Sequence, residues 1–266
     1  MIRDITLGQY YPGESWIHRL DPRLKIVATL LYIISLFVVR DFGGFLIAWL
    51  ALEAVILISR VPRSYILRGL RPVFLIIAFT LLVNLFMIPG DVLVRFWKLQ
   101  ITVQGVETAA FMGIRLVLLI LGSSLLTLTT RPIQLTDGIE ALLSPLKKIG
   151  VPAHELAMMM TIALRFIPTL LEETDKIMKA QQARGADFET GSLFRRAKAL
   201  VPILVPLFIS AFRIAQDLAM AMESRCYGSG RPRTRMNEIR FARRDLAGTI
   251  LMMSYLAMIV LERILW

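Results

Sequence analysis

Hydrophobic residues along this chain fall into long runs separated by short basic segments. Four runs occupy the first half, at residues 26–39, 45–59, 73–88 and 106–129, and a fifth covers 246–261. Arg40-Asp41-Phe42-Gly43-Gly44 follows the first run, Pro89-Gly90 the third and Arg131-Pro132 the fourth. Glycine and proline at these places end helices. Several runs are shorter than the ~20 residues a perpendicular transmembrane helix needs, so flanking residues are expected to extend them. The pattern predicts an all-α membrane protein with about five transmembrane helices.

Between the fourth and fifth runs the period changes. Residues 131–244 read as three helices, two of them long. The first covers about 133–149 and ends at Gly150. The second starts near Pro152-Ala153 and runs to Ala183. Arg165, Thr169, Glu172, Lys176 and Lys179 form a polar stripe on it, and Leu156, Met160, Ala163, Ile167, Leu170 and Ile177 form an apolar face. Glu172 with Lys176 and Asp175 with Lys179 are spaced to pair, and Pro168 is expected to bend this helix. The third starts near Ser192, an N-cap residue type, and runs to Ser224, with a bend expected around Pro202 and Pro206. Its apolar run 200–212 is short for a span. The expected organisation is a four-span region at 1–130, a coupling module at 131–244 and a final transmembrane helix at 245–266.

Composition supports the membrane reading. The 266 residues are 56% hydrophobic with a mean hydropathy of +0.63. The net charge of +11 lies between the apolar runs, as membrane anchoring requires, and does not point to nucleic acid. Arg3, Arg19, Arg23 and Lys25 precede the first run, Arg40 alone follows it, and Arg60, Arg63, Arg68 and Arg71 follow the second. Arg95 and Lys98 follow the third. This bias places the N-terminus and residues 131–244 in the cytoplasm of a multi-pass protein of the cell membrane. Residues 131–244 hold eighteen lysines and arginines against eleven aspartates and glutamates, which suits that side. The polar first fifteen residues contain no apolar signal region, so no cleaved signal peptide is expected. One cysteine, Cys226, rules out an intramolecular disulfide framework. Asp21 is a good N-cap, Pro22 suits the first helical turn, and Arg23 and Lys25 read as interfacial anchors.

Two long helices end in similar tripeptides, Ala183-Arg184-Gly185 and Ser224-Arg225-Cys226. About thirty residues of helix span about 45 Å, and a short turn, 185–191, joins the two. The arginines are therefore expected far apart, as suits two separate receivers. A guanidinium is a planar, permanent fork for a carboxylate. An arginine at a helix C-terminus also simply complements the dipole, and Gly185 reads as an ordinary C-cap. The apolar faces, rich in methionine, read as a platform for another membrane protein, with Met158, Met159, Ile162, Phe166, Phe208 and Phe212 as its contacts. Methionine also fills cores.

Chemistry of the chain's own is hard to find. No G-x-x-x-x-G-K-[ST] phosphate loop and no G-x-S-x-G turn is present, and His18 and His154 stand apart with no metal-ligand spacing. The run Gly230-Arg231-Pro232-Arg233-Thr234-Arg235 lacks interleaved aromatics and precedes an apolar run, so it reads as anchoring. Ionisable residues inside spans are few, and Glu53 and Arg115 stand out among them. They define an alternative reading, a stand-alone secondary transporter.

Leu20-Asp21-Pro22-Arg23 with Lys25, then Pro145, Gly150 and Pro152, Leu164-Arg165-Phe166 with Pro168, and the two arginine tripeptides together resemble the transmembrane T component of energy-coupling factor transporters, over nearly the whole chain. The second tripeptide departs from Ala-Arg-Gly at Ser224 and Cys226 but keeps Arg225. The resemblance implies a non-catalytic energy-coupling scaffold that assembles with two ABC-type ATPase subunits and a substrate-binding S component, for vitamin or transition-metal uptake. It implies that Arg184 and Arg225 dock on the two ATPases and that the apolar faces hold the S component. No cofactor would bind this chain, since ATP and Mg would sit on the ATPases.

Overall fold

The computed structural model describes residues 10–96, 99–150, 152–186, 188, 193–227 and 241–265. Arg3, Lys98, residues 187 and 189–191 of the expected turn, Ser192, residues 228–240 and Trp266, on which parts of the sequence reading fall, lie outside them. The described chain is mostly helical, with one hairpin and a non-helical segment over residues 10–21. Helix α1 covers Pro22–Val38, α2 Phe42–Ser59, α3 Arg63–Arg68 and α4 Phe74–Met87, with a 3-10 turn at Arg71–Val73 between the last two. Strands β1, Val92–Phe96, and β2, Leu99–Thr102, pair antiparallel with an irregularity between Val92 and Val94. Helices α5, Val103–Thr129, and α6, Pro132–Leu143, follow, with a 3-10 stretch at Ser144–Ile149. Then come α7, Ala153–Ala183, α8, Leu193–Ser224, and α9, Arg243–Leu265.

The chain divides into two compact units. One holds residues 8–157 and 239–266, the other mainly residues 158–238. In the first unit α5 packs against α1, α2, α3 and α4, while α9 packs against α1 and α2, and α6 lies on α1. Leu36, Ala48, Leu118 and Ile259, from four different helices, are all but fully buried where these elements meet. Small residues permit the close approach. A Cβ on Gly122 of α5 would lie 2.4 Å from the Tyr32 ring of α1, so only glycine fits there.

Among the described residues six stretches are long and apolar enough to cross a membrane: Phe42–Ser59, Arg63–Met87, Val103–Thr129, Ala153–Ala183, Leu200–Ser224 and Arg243–Leu265. Four of them extend the second to fifth apolar runs. Helix α1, at 17 residues, carries the first run. The other two are α7 and most of α8. The run 200–212 is not the short segment its composition implies, because the helix continues unbroken through Pro202 and Pro206 to Ser224.

Asp21 and Pro22 do as expected. Asp21 is the N-cap of α1 and its carboxylate accepts from the Arg23 N–H at 2.8 Å, with Pro22 in the first turn. Lys25 corrects the sequence reading. It is not an interfacial anchor but is 7% exposed, and its ammonium donates to the carbonyls of His18 (3.1 Å) and Thr129 (3.0 Å). Its neighbour Asp245, 2% exposed, accepts from the Asp21 N–H through Oδ1 and from the Ala242 N–H through Oδ2, each at 2.7 Å. His18 completes the group. Its Nε2 faces the Tyr11 carbonyl at 3.1 Å and therefore carries the proton, so Nδ1 accepts from the Ser15 hydroxyl at 2.6 Å. Burial lowers the His18 pKa, against the smaller raising effect of the Tyr11 carbonyl.

Asp245→Ala leaves one buried and one part-buried N–H donor unpaired, so it is expected to destabilise the protein by about 2–4 kcal/mol, read as a lower Tm in detergent. Asp245→Asn, which keeps one acceptor oxygen, is expected to lose less.

Candidate functional site

The two arginine tripeptides fold into the same backbone device. After α7, the Gly185 N–H donates to the Gln182 carbonyl at 2.9 Å and the Ala186 N–H to the Gln181 carbonyl at 3.0 Å. After α8, the Cys226 N–H donates to the Glu223 carbonyl at 2.8 Å and the Tyr227 N–H to the Met222 carbonyl at 2.9 Å. Both are Schellman-type caps, and both place the third residue of the tripeptide in the left-handed region, Gly185 at φ +87° and Cys226 at φ +54°. The departure from Ala-Arg-Gly at the second end therefore leaves the turn intact, at a backbone cost on the order of 1 kcal/mol for a residue with a Cβ.

Each cap ends its helix abruptly and turns the preceding arginine outward. Arg184 and Arg225 are exposed, and neither pairs with an acid among the described residues. Ala183 has no reach, and the Ser224 hydroxyl turns back onto the Ala221 carbonyl at 3.0 Å, so neither crowds its arginine.

Side-chain contacts set the geometry of the second unit. Gln181, near the end of α7, donates to the Pro202 carbonyl near the start of α8 at 3.4 Å. That carbonyl is free because its helical partner would be the N–H of residue 206, a proline. At the other end the Tyr227 hydroxyl meets the Met158 sulfur at 2.7 Å. Helices α7 and α8 thus run antiparallel, and Arg225 returns to the beginning of α7. Arg184 lies 26 residues beyond Met158, so roughly 40 Å of helix separates the two arginines.

The expected platform residues divide. Met159, Phe208 and Phe212 are more than half exposed, while Ile162 and Phe166 are half-buried and Met158 is engaged by Tyr227. Val201, Leu204, Val205 and Ile209 extend the exposed apolar surface of α8, although the sequence reading did not single them out. Their spacing of three and four residues was the available signal. The polar stripe of α7 forms neither expected pair among the described residues: Asp175 does not pair with Lys179. Lys176 pairs with Glu173 at 3.5 Å, not with Glu172. Helix α7 is continuous through Pro168.

Glu53 and Arg115 do not share a path. Glu53 pairs with Arg63, beyond the far end of α2. Arg115 donates to the Val39 carbonyl at the other end of α2, at 3.2 Å, and sits over the rings of Phe37, Phe45 and Phe111. On the order of 15 Å of helix separates the two places. Both residues read as packing and capping groups.

The fold and these caps define a multi-pass, all-α membrane protein with two long arginine-ended helices. A family model described as "CbiQ: Cobalt transport protein" matches residues 13–236. The chain is 56% identical over 268 residues to the energy-coupling factor transporter transmembrane protein EcfT of Clostridium kluyveri, covering 100% of this chain and 99% of that one. It is 56% identical over 265 residues to the protein of that name from Thermosediminibacter oceani, covering 100% of both. It is 54% identical over 250 residues to the one from Heliobacterium modesticaldum, covering 94% of each. The chain belongs to the CbiQ family.

The shared cap carries a stability prediction. Cys226→Gly relieves the left-handed strain and is expected to raise stability by on the order of 1 kcal/mol, while Gly185→Val lowers it by at least that much. Thermal unfolding of the purified protein in detergent measures both.

Proposed function

We propose that this transmembrane component of an energy-coupling factor transporter is its mechanical coupler. The observation that carries the reading is the pair of matching caps, which present two arginines, paired with no acid among the described residues, at opposite ends of one helical hairpin. Each arginine docks in an acid-lined groove on one of two ABC-type ATPase subunits, Arg184 on one and Arg225 on the other. Nucleotide-driven approach of the ATPases loads both ends of the hairpin together. The load passes along α7 and α8, whose apolar side chains hold the substrate-binding S component through Met159, Phe208 and Phe212, with Ile162 and Phe166 behind them.

The chain itself is a non-catalytic subunit in this reading. It has no phosphate loop, and ATP and Mg belong to the partner ATPases. The lysine and arginine bias favours a cytoplasmic N-terminus and hairpin, on the side where the ATPases work. The cargo is a vitamin or a transition-metal ion, recognised by the S component.

The test is Arg184→Glu with Arg225→Glu in the full chain. The double variant is expected to remain in the membrane and to lose co-purification with the ATPases. Unchanged ATPase association together with full uptake would contradict the proposal. The purified chain alone in liposomes is expected to move no solute down an ion gradient; measurable flux would favour a stand-alone transporter.

A further inference from the structure

The four helices α1, α2, α5 and α9 form a ring, each packed on two neighbours; Leu36, Ala48, Leu118 and Ile259 fill one end, and the end around Lys25 and Thr129 is not filled. A cleft of about 540 Å³ lies inside it, walled almost entirely by apolar side chains such as Leu24, Ala28, Ala54, Ile58, Leu251 and Met258. An apolar space of this kind does not hold water, and leaving it empty is destabilising. Its size is that of a small-ligand site.

The cleft has a direction. All the exposed residues of its wall lie on α2 and α9, among them Leu50, Ala54 and Leu251. Helices α2 and α9 are drawn together at one end, where the Glu262 carboxylate comes up against Gly43 and Gly44. From there towards Arg60 the wall is open to the side, and in a multi-pass membrane protein that side is lipid. A helix with its side chains is about 10–12 Å across and does not pass between two packed helices, whereas a single acyl chain does.

The Arg60 end is polar. There the cleft shares Trp16 and Ile58 with a second recess of about 450 Å³, lined also by Glu14, Ser15, Leu57 and Arg60. Glu14 is bonded to Arg19 at 2.8 Å. Arg60 is exposed and pairs with no acid among the described residues. Tryptophan at the boundary between an apolar slot and a free guanidinium is the arrangement of a lipid interface.

We propose that this cleft is a phospholipid site. One acyl chain of an anionic glycerophospholipid lies between α2 and α9, and its phosphate rests on Arg60 beside Trp16. This rests on the membrane placement of the bundle and is independent of the coupling role of Arg184 and Arg225.

The experiment uses the full chain in nanodiscs containing phosphatidylglycerol with a diazirine in mid-acyl position, the adducts being mapped by mass spectrometry. Adducts are expected several-fold more often on Leu50, Ala54, Leu251 and Met258 than on Leu75 and Phe79 of α4, which are exposed to the same bilayer. Ala54→Trp, which narrows the cleft from an exposed helix face, is expected to abolish the preference. Arg60→Asn suits the left-handed backbone at this position (φ 56°) and is expected to weaken retention of phosphatidylglycerol about fivefold while leaving phosphatidylcholine unchanged. Equal labelling of the cleft and α4 in the unaltered protein overturns the proposal, whatever the variants do. So does cleft labelling that survives Ala54→Trp. Loss of the cleft adducts on assembly with partner subunits also overturns it, since a protein element would then be the occupant.

Discussion

The membrane bundle depends on satisfying helix ends where water is scarce. A helix leaves four N–H groups without partners at its start, and near a bilayer each one unmet is costly. Asp245 meets two such donors at once, one at the entry to its own helix and one at Asp21, which in turn caps α1. Lys25 sits against this pair and ties the His18 loop and the end of α5 to the same point. The first and last helices, 224 residues apart in sequence, are thereby locked together by backbone hydrogen bonding to charged groups. Hydrogen bonds to charged groups are stronger away from bulk water, so removing one member of this buried cluster leaves the others at a cost.

The arginine-ended hairpin solves the opposite problem. Both of its helices end in matching caps, and Gln181 takes up the carbonyl that Pro206 orphans. Its side chains are not satisfied in the same sense. Phe208, Phe212 and Met159 stand exposed, and Arg184 and Arg225 reach outward from rigid turns. A stiff rod with charged ends and an apolar flank is what transmission of a mechanical load requires. In the proposed coupling role, force entering at the caps would reach the helices directly, because the Schellman turns hold each arginine to the last turn of its helix.

Much of this was readable in the sequence, and what was not has physical causes. Period and punctuation located α7, from Ala153 to Ala183, because Gly185 stops a helix by a local rule, and likeness to that tripeptide located the C-terminal end of α8. Lys25 was misread because a lysine before an apolar run usually marks an interface, and its burial depends on carbonyls from Thr129 and His18 that no local pattern reveals. Asp245 was missed for the same reason, although an acid in the first turn of the last helix was a usable sign. The β1–β2 hairpin went unread because its strands are short and sit in a stretch that charge counting treats as a loop. Arg115 attracted a transport role as an intramembrane charge, and only the fold places it under Val39 and three aromatic rings. Arg184 and Arg225 were legible as motifs, but the likeness of their caps required backbone geometry, since cysteine is not a residue one assigns to a left-handed turn.

The central claim is that the two arginine ends are separate contacts for separate receivers. A photo-crosslinking amino acid placed at Ala183 in one variant and at Ser224 in another, each in the assembled transporter, tests it most directly. The account predicts that each position labels one ATPase polypeptide, and that the two labelled polypeptides differ. Labelling of the same polypeptide from both positions, or labelling of no ATPase from either, would contradict it.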